Sequence, residues 1–192
     1  CVIENTTQAA ELLAGVDTRW LGVCLDLAHL ACAWEDPAEA LDRLRAAGVP
    51  VVKVQVSAAL QAEDPQAAEK VLRTYVEPRF LHQTRSALGP ATDDLDTALD
   101  GKLPGPWRIH YHVPLHAEPS APLTSTVPVL REAVHQLLNA PGPCCEHFDV
   151  ETYTWGVLPE DQRPRDAAGV ADGIAAELAF ARDLLAAEVA AR

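Results

Sequence analysis

The sequence predicts an α/β fold of the TIM-barrel type, in which parallel strands alternate with helices. Two observations lead to this fold class. A strand, a helix and a second strand follow one another between residues 21 and 57, which is the order of a parallel βαβ unit. Four predicted strands also carry one apolar face and one face of acidic, imidazole or amide groups near their ends. In a parallel barrel the apolar faces contact the outer helices, and the polar strand ends build a site at the mouth.

Composition limits the classes of partner. The chain has 192 residues, 48% of them hydrophobic, which suffices for about one domain. Its formal net charge of −13 argues against a nucleic-acid partner, because binding phosphates requires a basic surface. No run approaches the roughly 18 apolar residues of a membrane span, so no membrane insertion is expected. Five cysteines without CxxC spacing are typical of reduced core thiols in a cytoplasmic protein: Cys1, Cys24, Cys32, Cys144 and Cys145.

The first half of the chain has clear sequence signals for where helices and strands begin and end. Residues 6–15 form a predicted helix that ends at a glycine, and residues 21–26 (LGVCLD) form a buried strand. Asp36 and the following proline predict the start of a helix, and Gly48 predicts its end. The segment VVKVQVS, 51–57, alternates apolar and polar residues and is predicted to be a strand.

The second half is less regular. An Asp-Pro pair at Asp64 predicts a helix to about Tyr75, and residues 61–106 as a whole resemble an insertion or lid more than a connecting loop. Strands are predicted at WRIHYHVPL, 107–115, and at EHFDVETYTW, 146–155. Amphipathic helices are predicted over residues 127–139 and from about 167 to 190.

The polar groups at the strand ends are the candidate functional residues. They are Asp26, His29, Gln55, Ser57, His110, His112 and Glu151. Carboxylates mixed with imidazoles suit a divalent ion such as Mn²⁺, Co²⁺, Mg²⁺ or Zn²⁺. Structural alternatives stay open: Asp26 could cap a helix, His29 could be a core histidine, and Glu151 could belong to an ion pair. Lys53, deeper in its strand, could be an ion-pair partner or a Schiff-base former.

At these residues the chain resembles the xylose isomerase-like TIM barrels, a superfamily of sugar (phosphate) isomerases and epimerases that also contains endonuclease IV. More narrowly it resembles the EboE-type metabolite traffic proteins. The segments that carry this resemblance are CLDLAH, LDRLRAAGVPVVKVQVSAAL, EPRFLHQ, WRIHYHVPL and VETYTWGVLP, within about residues 1–180. Members are about twice as long, with a Glu-Pro-Glu-Pro strand end upstream. The resemblance therefore implies the C-terminal half of one barrel domain over residues 1–192, and the lack of methionine agrees with a fragment.

The resemblance also implies roles for individual residues. Superfamily enzymes hold a metal with Glu, Asp, His and Glu from successive strand ends, and their carboxylates move a proton. Asp26 and Glu151 match the aspartate and the last glutamate, as ligands and catalytic groups, and His29 matches a substrate-binding histidine. Gln55 stands where the enzymes have histidine, so His110 or His112 is expected to replace that ligand. Further substrate contacts are expected from Gln55, Lys53 and Ser57.

Two functions remain as expectations. The first is a metal-dependent isomerase or epimerase acting on a sugar-like or phosphorylated metabolite. The second is a metabolite-binding or trafficking component, of the kind encoded in Ebo operons, that holds a small molecule without converting it. Both need the missing N-terminal half of the barrel, which would supply one more glutamate. Glu4 is the nearest substitute, and its place on the helix side of a loop disfavours it. A nuclease related to endonuclease IV is disfavoured by the net charge of −13.

Overall fold

The strands form two separate sheets. The computed structural model describes residues 2–140 and 145–191, so the predictions that concern Cys1 and Cys144 lie outside the described residues. The helices are α1 (Thr6–Leu13), α2 (Leu27–Cys32), α3 (Pro37–Ala46), α4 (Glu69–Leu72), α5 (Leu95–Asp100), α6 (Val127–Asn139) and α7 (Ala167–Ala190), with a 3-10 turn at Arg73–Tyr75. The strands are β1 (Val23–Asp26), β2 (Val51–Val56), β3 (Ala59–Ala62), β4 (Thr84–Ser86), β5 (Ala91–Thr92), β6 (Trp107–His112), β7 (Thr124–Ser125) and β8 (Phe148–Val150).

The smaller sheet is parallel, with strand order β1-β2-β8. The register pairs Asp26 with Gln55 and Gln55 with Asp149, so the carboxyl ends of all three strands lie along one edge. Glu151 follows β8 directly, and its backbone N–H donates to the carbonyl of Val56 at 3.3 Å. The parallel βαβ unit predicted from the sequence is therefore confirmed, and it brings the first candidate residues together.

The larger sheet is antiparallel, with strand order β5-β4-β6-β3-β7. Strand β6 lies at its centre: Ile109 pairs with Leu60 of β3 on one side and with Thr84 of β4 on the other. Strand β3 begins only three residues after β2 ends, at Ala59, which pairs with His112. The chain thus passes from the parallel sheet into the antiparallel one almost without a loop.

The predicted TIM barrel, including its C-terminal half, is wrong for this chain. No closed barrel is formed by residues 2–140 and 145–191. The reason is the pairing of β6, which we expected to continue the parallel sheet but which runs antiparallel to β3 and β4. Residues 61–106 contribute strands β4 and β5 and part of β3 to that sheet, together with two short helices.

Several helix predictions are confirmed, because their end signals are local. Asp36 accepts a hydrogen bond from the Glu39 N–H at 3.0 Å and caps α3, and Gly48 takes a positive φ of 67° beyond its end. Helices α6 and α7 have the predicted bounds. The helix predicted from Asp64 to Tyr75 is wrong in part, since only α4 and the 3-10 turn form there.

The main hydrophobic core packs between the two sheets and helices α2 to α7, and Ala28, Cys32 and Ala59 form a small second cluster. The fully buried side chains of the main core include Leu60, Trp107, Ile109, Tyr111 and Leu130. Cys32 is buried as predicted, whereas Cys24, predicted as a core thiol, is exposed. Within the described ranges, no helix combines the length and the apolar character that crossing a membrane would require.

Candidate metal centre

A cavity of about 480 Å³ lies at the carboxyl edge of the parallel sheet. Pockets for small molecules commonly have about 300–1,000 Å³, so this one is of the right size for a metabolite. The polar side chains that line it from the sheets and from α2 are Asp26, His29, Gln55, His110, His112, Glu151 and Tyr153. Six of the seven sequence candidates at strand ends therefore meet in one place, and the seventh, Ser57, lies directly behind Asp26.

Asp26 ends β1 and caps α2 at the same time. Its Oδ1 accepts hydrogen bonds from the N–H groups of Ala28 and His29 at 2.9 and 3.1 Å, and from the Ser57 hydroxyl at 2.8 Å. No hydrogen bond from the described residues reaches Oδ2. Asp26 therefore caps α2 through Oδ1 alone, and its Oδ2 stays available to a ligand.

His112 is oriented by the segment that carries Glu151. Its side chain is 1% exposed, and its Nδ1 lies 2.8 Å from the carbonyl oxygen of Glu151. A carbonyl only accepts, so Nδ1 carries the hydrogen and Nε2 keeps its lone pair. Nε2 is buried without a hydrogen-bond partner among the described residues. Burial lowers the pKa of His112, which favours the neutral imidazole that metals bind.

Glu151 is the more accessible carboxylate. Its side chain is 39% exposed, and its Oε2 accepts a hydrogen bond from the Gln55 amide at 2.6 Å. Gln55 is fixed in turn by the Cys24 thiol, which lies 3.3 Å from its Oε1. Burial raises the pKa of Glu151, and the nearby charges of Asp26 and Asp149 raise it further. Gln55 therefore positions an acidic side chain through its amide group.

Two overlapping groups of side chains have the spacing of a metal site. Asp26, His112 and Glu151 each offer a ligand atom, and these atoms lie within 4.8 Å of one another; the same holds for Asp26, His29 and His110. Ligands placed about 2.0–2.6 Å from one ion lie up to about 5 Å apart. Either group is compact enough for one ion, and only the first contains a buried nitrogen without a partner.

The rings of His29 and His110 contact each other in a tilted arrangement beside this group. Their ring centroids are 3.9 Å apart, with an interplanar angle of 32°. Burial lowers the pKa of His110 to about 2, and the neighbouring imidazoles of His29 and His112 add to the effect. His110 is therefore neutral at physiological pH and presents an uncharged imidazole to the cavity.

Tyr153 is a member of the site that the sequence reasoning missed. Its ring lies 4.6 Å from that of His112, and its hydroxyl donates to the carbonyl of His110 at 3.1 Å. The available signal was its position two residues after Glu151, because alternate residues of an extended chain share a side. Burial raises the pKa of Tyr153, so the neutral phenol persists and can keep this donor role.

Lys53 and Ser57 have supporting positions. The Lys53 ammonium lies 2.9 Å from Asp149, which agrees with the ion-pair alternative, and Lys53 does not line the cavity. Ser57 is fully buried and donates to Asp26. The structure brings neither side chain into the cavity, where direct contact with a substrate would occur.

The segment before α1 and the residue before Asp36 also bring acidic side chains to the cavity. Glu4 lines it and pairs with Arg85 at 2.9 Å. Glu35 accepts from the N–H of Thr6 at 3.0 Å and pairs with Arg43 at 2.7 Å. These two acidic side chains are already neutralised by arginines, so Asp26 and Glu151 are the acidic groups of the cavity without an arginine partner among the described residues.

The metal-free protein is expected to lose stability as the pH falls below about 6.5. The pKa of His110 is about 2 in the folded chain, whereas an unfolded histidine binds a proton near pH 6.5. Between these two pH values the unfolded state therefore binds more protons than the folded state. Each such histidine lowers the free energy of unfolding by about 1.4 kcal/mol for each unit by which the pH falls. His112, whose pKa is also lowered, adds to the slope.

Urea unfolding between about pH 5 and 6.5 measures this slope, because most carboxylates are ionised throughout that range. His110→Gln should remove one proton from the difference between the unfolded and the folded state. The free energy of unfolding should then depend less steeply on pH. A slope that is the same in this variant and in the unsubstituted protein would show that His110 is not held neutral.

Comparison with known proteins does not assign this chain to a family, because no family model, no curated protein and no solved structure matches it.

Proposed function

We propose that this protein binds one divalent metal ion through Asp26, His112 and Glu151 and acts as a sugar (phosphate) isomerase or epimerase. One observation carries the proposal. The Nε2 atom of His112 is buried without a partner, and its residue lies in a compact group with two carboxylates that have no arginine partner among the described residues. An unsatisfied buried polar atom in a native fold calls for an explanation, and a ligand supplies one.

The donor set fits such an ion. One neutral imidazole and two carboxylates suit Zn²⁺, Mn²⁺ or Co²⁺, and Mg²⁺ less well because it prefers oxygen. His112 donates its other ring N–H to a backbone carbonyl, which is the usual support for a histidine that binds a metal. The Ser57 hydroxyl and two backbone N–H groups hold Asp26 in the same way.

In the proposed reaction the ion and the cavity residues have different roles. A bound ion would polarise the carbonyl and hydroxyl oxygens of a substrate. Glu151 is the group placed to take a proton from the carbon beside that carbonyl and to return it, since its side chain is accessible and burial raises its pKa. Gln55 holds one oxygen of Glu151, and His29 and Tyr153 limit the space in which the substrate lies.

A second candidate is a metabolite-binding or trafficking role without turnover, as the resemblance to EboE-type proteins implies. The position of Asp26 favours it. Three donors already converge on Oδ1, which ties this carboxylate down and leaves Glu151 as the one carboxylate free to shuttle a proton among the described cavity residues. A reaction that needs two mobile carboxylates would not proceed at such a site, although a metabolite could still be held there.

Metal analysis followed by a turnover assay separates these candidates. The protein is dialysed against Mn²⁺, Co²⁺ or Zn²⁺, its metal content is measured, and it is then assayed with ketoses and their phosphates. We expect one ion per chain, with turnover lost in Glu151→Gln. Metal binding without turnover of any substrate would favour the trafficking role. A protein that binds no ion would contradict the metal site on which the isomerase role depends.

A further inference from the structure

We infer that Glu177 of α7 is a positioning residue that holds together the two chain segments bearing His112 and Glu151. The inference rests on the proposed metal site. Glu177 is 1% exposed, although most acidic side chains of helices lie in solvent. Burying a carboxyl group is unfavourable unless hydrogen bonds compensate it. The positions of its two hydrogen-bond partners explain why the carboxyl group of Glu177 is buried.

Both partners of Glu177 lie next to the metal site. Its Oε1 accepts a hydrogen bond from the Leu115 N–H at 3.1 Å and another from the Thr152 hydroxyl at 2.6 Å. Leu115 is three residues beyond His112, and Thr152 directly follows Glu151. One oxygen atom of α7 therefore connects the segment that follows β6 to the segment that follows β8.

Two further hydrogen bonds join the same segments. The Thr154 hydroxyl donates to the carbonyl of His112 at 2.6 Å, and His112 Nδ1 donates to the carbonyl of Glu151 at 2.8 Å. The hydroxyls of Tyr153 and Tyr111 also join these segments, through the carbonyls of His110 and Val157 at 3.1 and 2.8 Å. Glu177 adds to these contacts a connection from α7, at the residues next to His112 and Glu151. A small shift between the two segments changes the directions of His112 Nε2 and of the Glu151 side chain, on which shared coordination of one ion depends.

The role of Glu177 needs an acceptor oxygen and not a negative charge. Both contacts reach Oε1, and neither donor is an ionic group. Burial raises the pKa of Glu177, which agrees with a side chain selected for its shape and its acceptor. Glutamine has the same shape and places a carbonyl oxygen at the same point, so it should replace glutamate here.

The test compares Co²⁺ binding by the whole chain and by four variants. Glu177→Ala should weaken Co²⁺ binding by about 10-fold and change the visible absorption spectrum of the bound ion, as loss of an outer-shell partner does. Glu177→Gln should stay within about twofold of the unsubstituted protein and keep its spectrum. Thr152→Val, which removes the 2.6 Å bond alone, should give an intermediate loss even if Glu177→Ala does not fold. Asp172→Ala removes an exposed carboxylate from the same helix and is the matched control.

A metal-free measurement distinguishes failure of this inference from failure of the metal site. Histidine NMR spectra report which ring nitrogen of His112 carries the hydrogen. We expect the Nδ1–H form in the unsubstituted protein and in Glu177→Gln, and a mixture of forms in Thr152→Val. The same His112 form in all variants, or equal Co²⁺ affinity and spectra in Thr152→Val and Asp172→Ala, would overturn the positioning role. Absence of Co²⁺ binding by the unsubstituted protein would overturn the proposed function, and the NMR comparison would still decide this inference.

Discussion

Replacing Asp26 by asparagine should weaken divalent-metal binding by at least about 100-fold while the chain stays folded. The asparagine carbonyl can still cap α2 and accept from Ser57, as Asp26 Oδ1 does. The oxygen that faces no donor becomes an amide nitrogen, and the negative charge is lost. Loss of an outer-shell partner costs about 10–100-fold in metal affinity, and loss of a charged ligand should cost at least the upper end of that range.

Titration calorimetry with Mn²⁺ or Co²⁺ measures this effect, and urea unfolding confirms that the variant folds. Asp36→Asn is the matched control. Asp36 also caps a helix, through the N–H of Glu39 at 3.0 Å, and it does not line the cavity. Affinities that agree between Asp26→Asn and Asp36→Asn would exclude Asp26 as a ligand.

Replacing Ile109 by alanine should destabilise the fold by about 2–5 kcal/mol. Ile109 is fully buried at the centre of the antiparallel sheet, between Leu60 of β3 and Thr84 of β4. Truncation removes buried methyl groups and leaves a cavity that its strand neighbours cannot fill easily. Domains are stable by only about 5–15 kcal/mol, so the variant should unfold at much lower urea concentration.

Val52→Ala is the control for this experiment. Val52 is also an aliphatic strand residue, but it is 53% exposed on β2, and its truncation should change the free energy of unfolding by less than about 0.5 kcal/mol. Equal effects of the two substitutions would contradict the central position of β6 in the antiparallel sheet.

Local signals predicted a substantial part of the fold. Asp36 and Pro37 determine the start of α3 through backbone hydrogen bonding, which needs no knowledge of distant residues. The order of β1, α3 and β2 predicted a parallel pair, and parallel pairing brings Asp26 beside Gln55. The meeting of two candidate residues was thus predictable from chain order and side-chain alternation.

The pairing of β6 was not predictable in the same way. The alternation at residues 107–112 shows that the segment is a strand, but its direction relative to other strands depends on long-range contacts. Strand β3 gave little signal, because it has only four residues, two of them alanines, and begins within a few positions of β2. Placing β6 in a parallel sheet led to the incorrect barrel, although His112 lies at the same cavity as Asp26.

The roles of Glu177 and Tyr153 were also absent from the sequence reasoning. Glutamates of an alanine-rich helix are normally exposed, so nothing in the pattern of α7 distinguished Glu177 from Asp172. Tyr153 lies beyond the end of β8, so its spacing of two residues from Glu151 was only a weak signal. Both residues act through backbone carbonyls, hydroxyls and N–H groups of distant segments, which only the folded chain brings within reach.

Anomalous X-ray diffraction from crystals grown with Mn²⁺ or Co²⁺ tests the central claim most directly. The account predicts one strong peak per chain, bonded to the carboxylates of Asp26 and Glu151 and to Nε2 of His112. A peak held by His29 and His110 without His112, or no peak in the cavity at a saturating metal concentration, would contradict it.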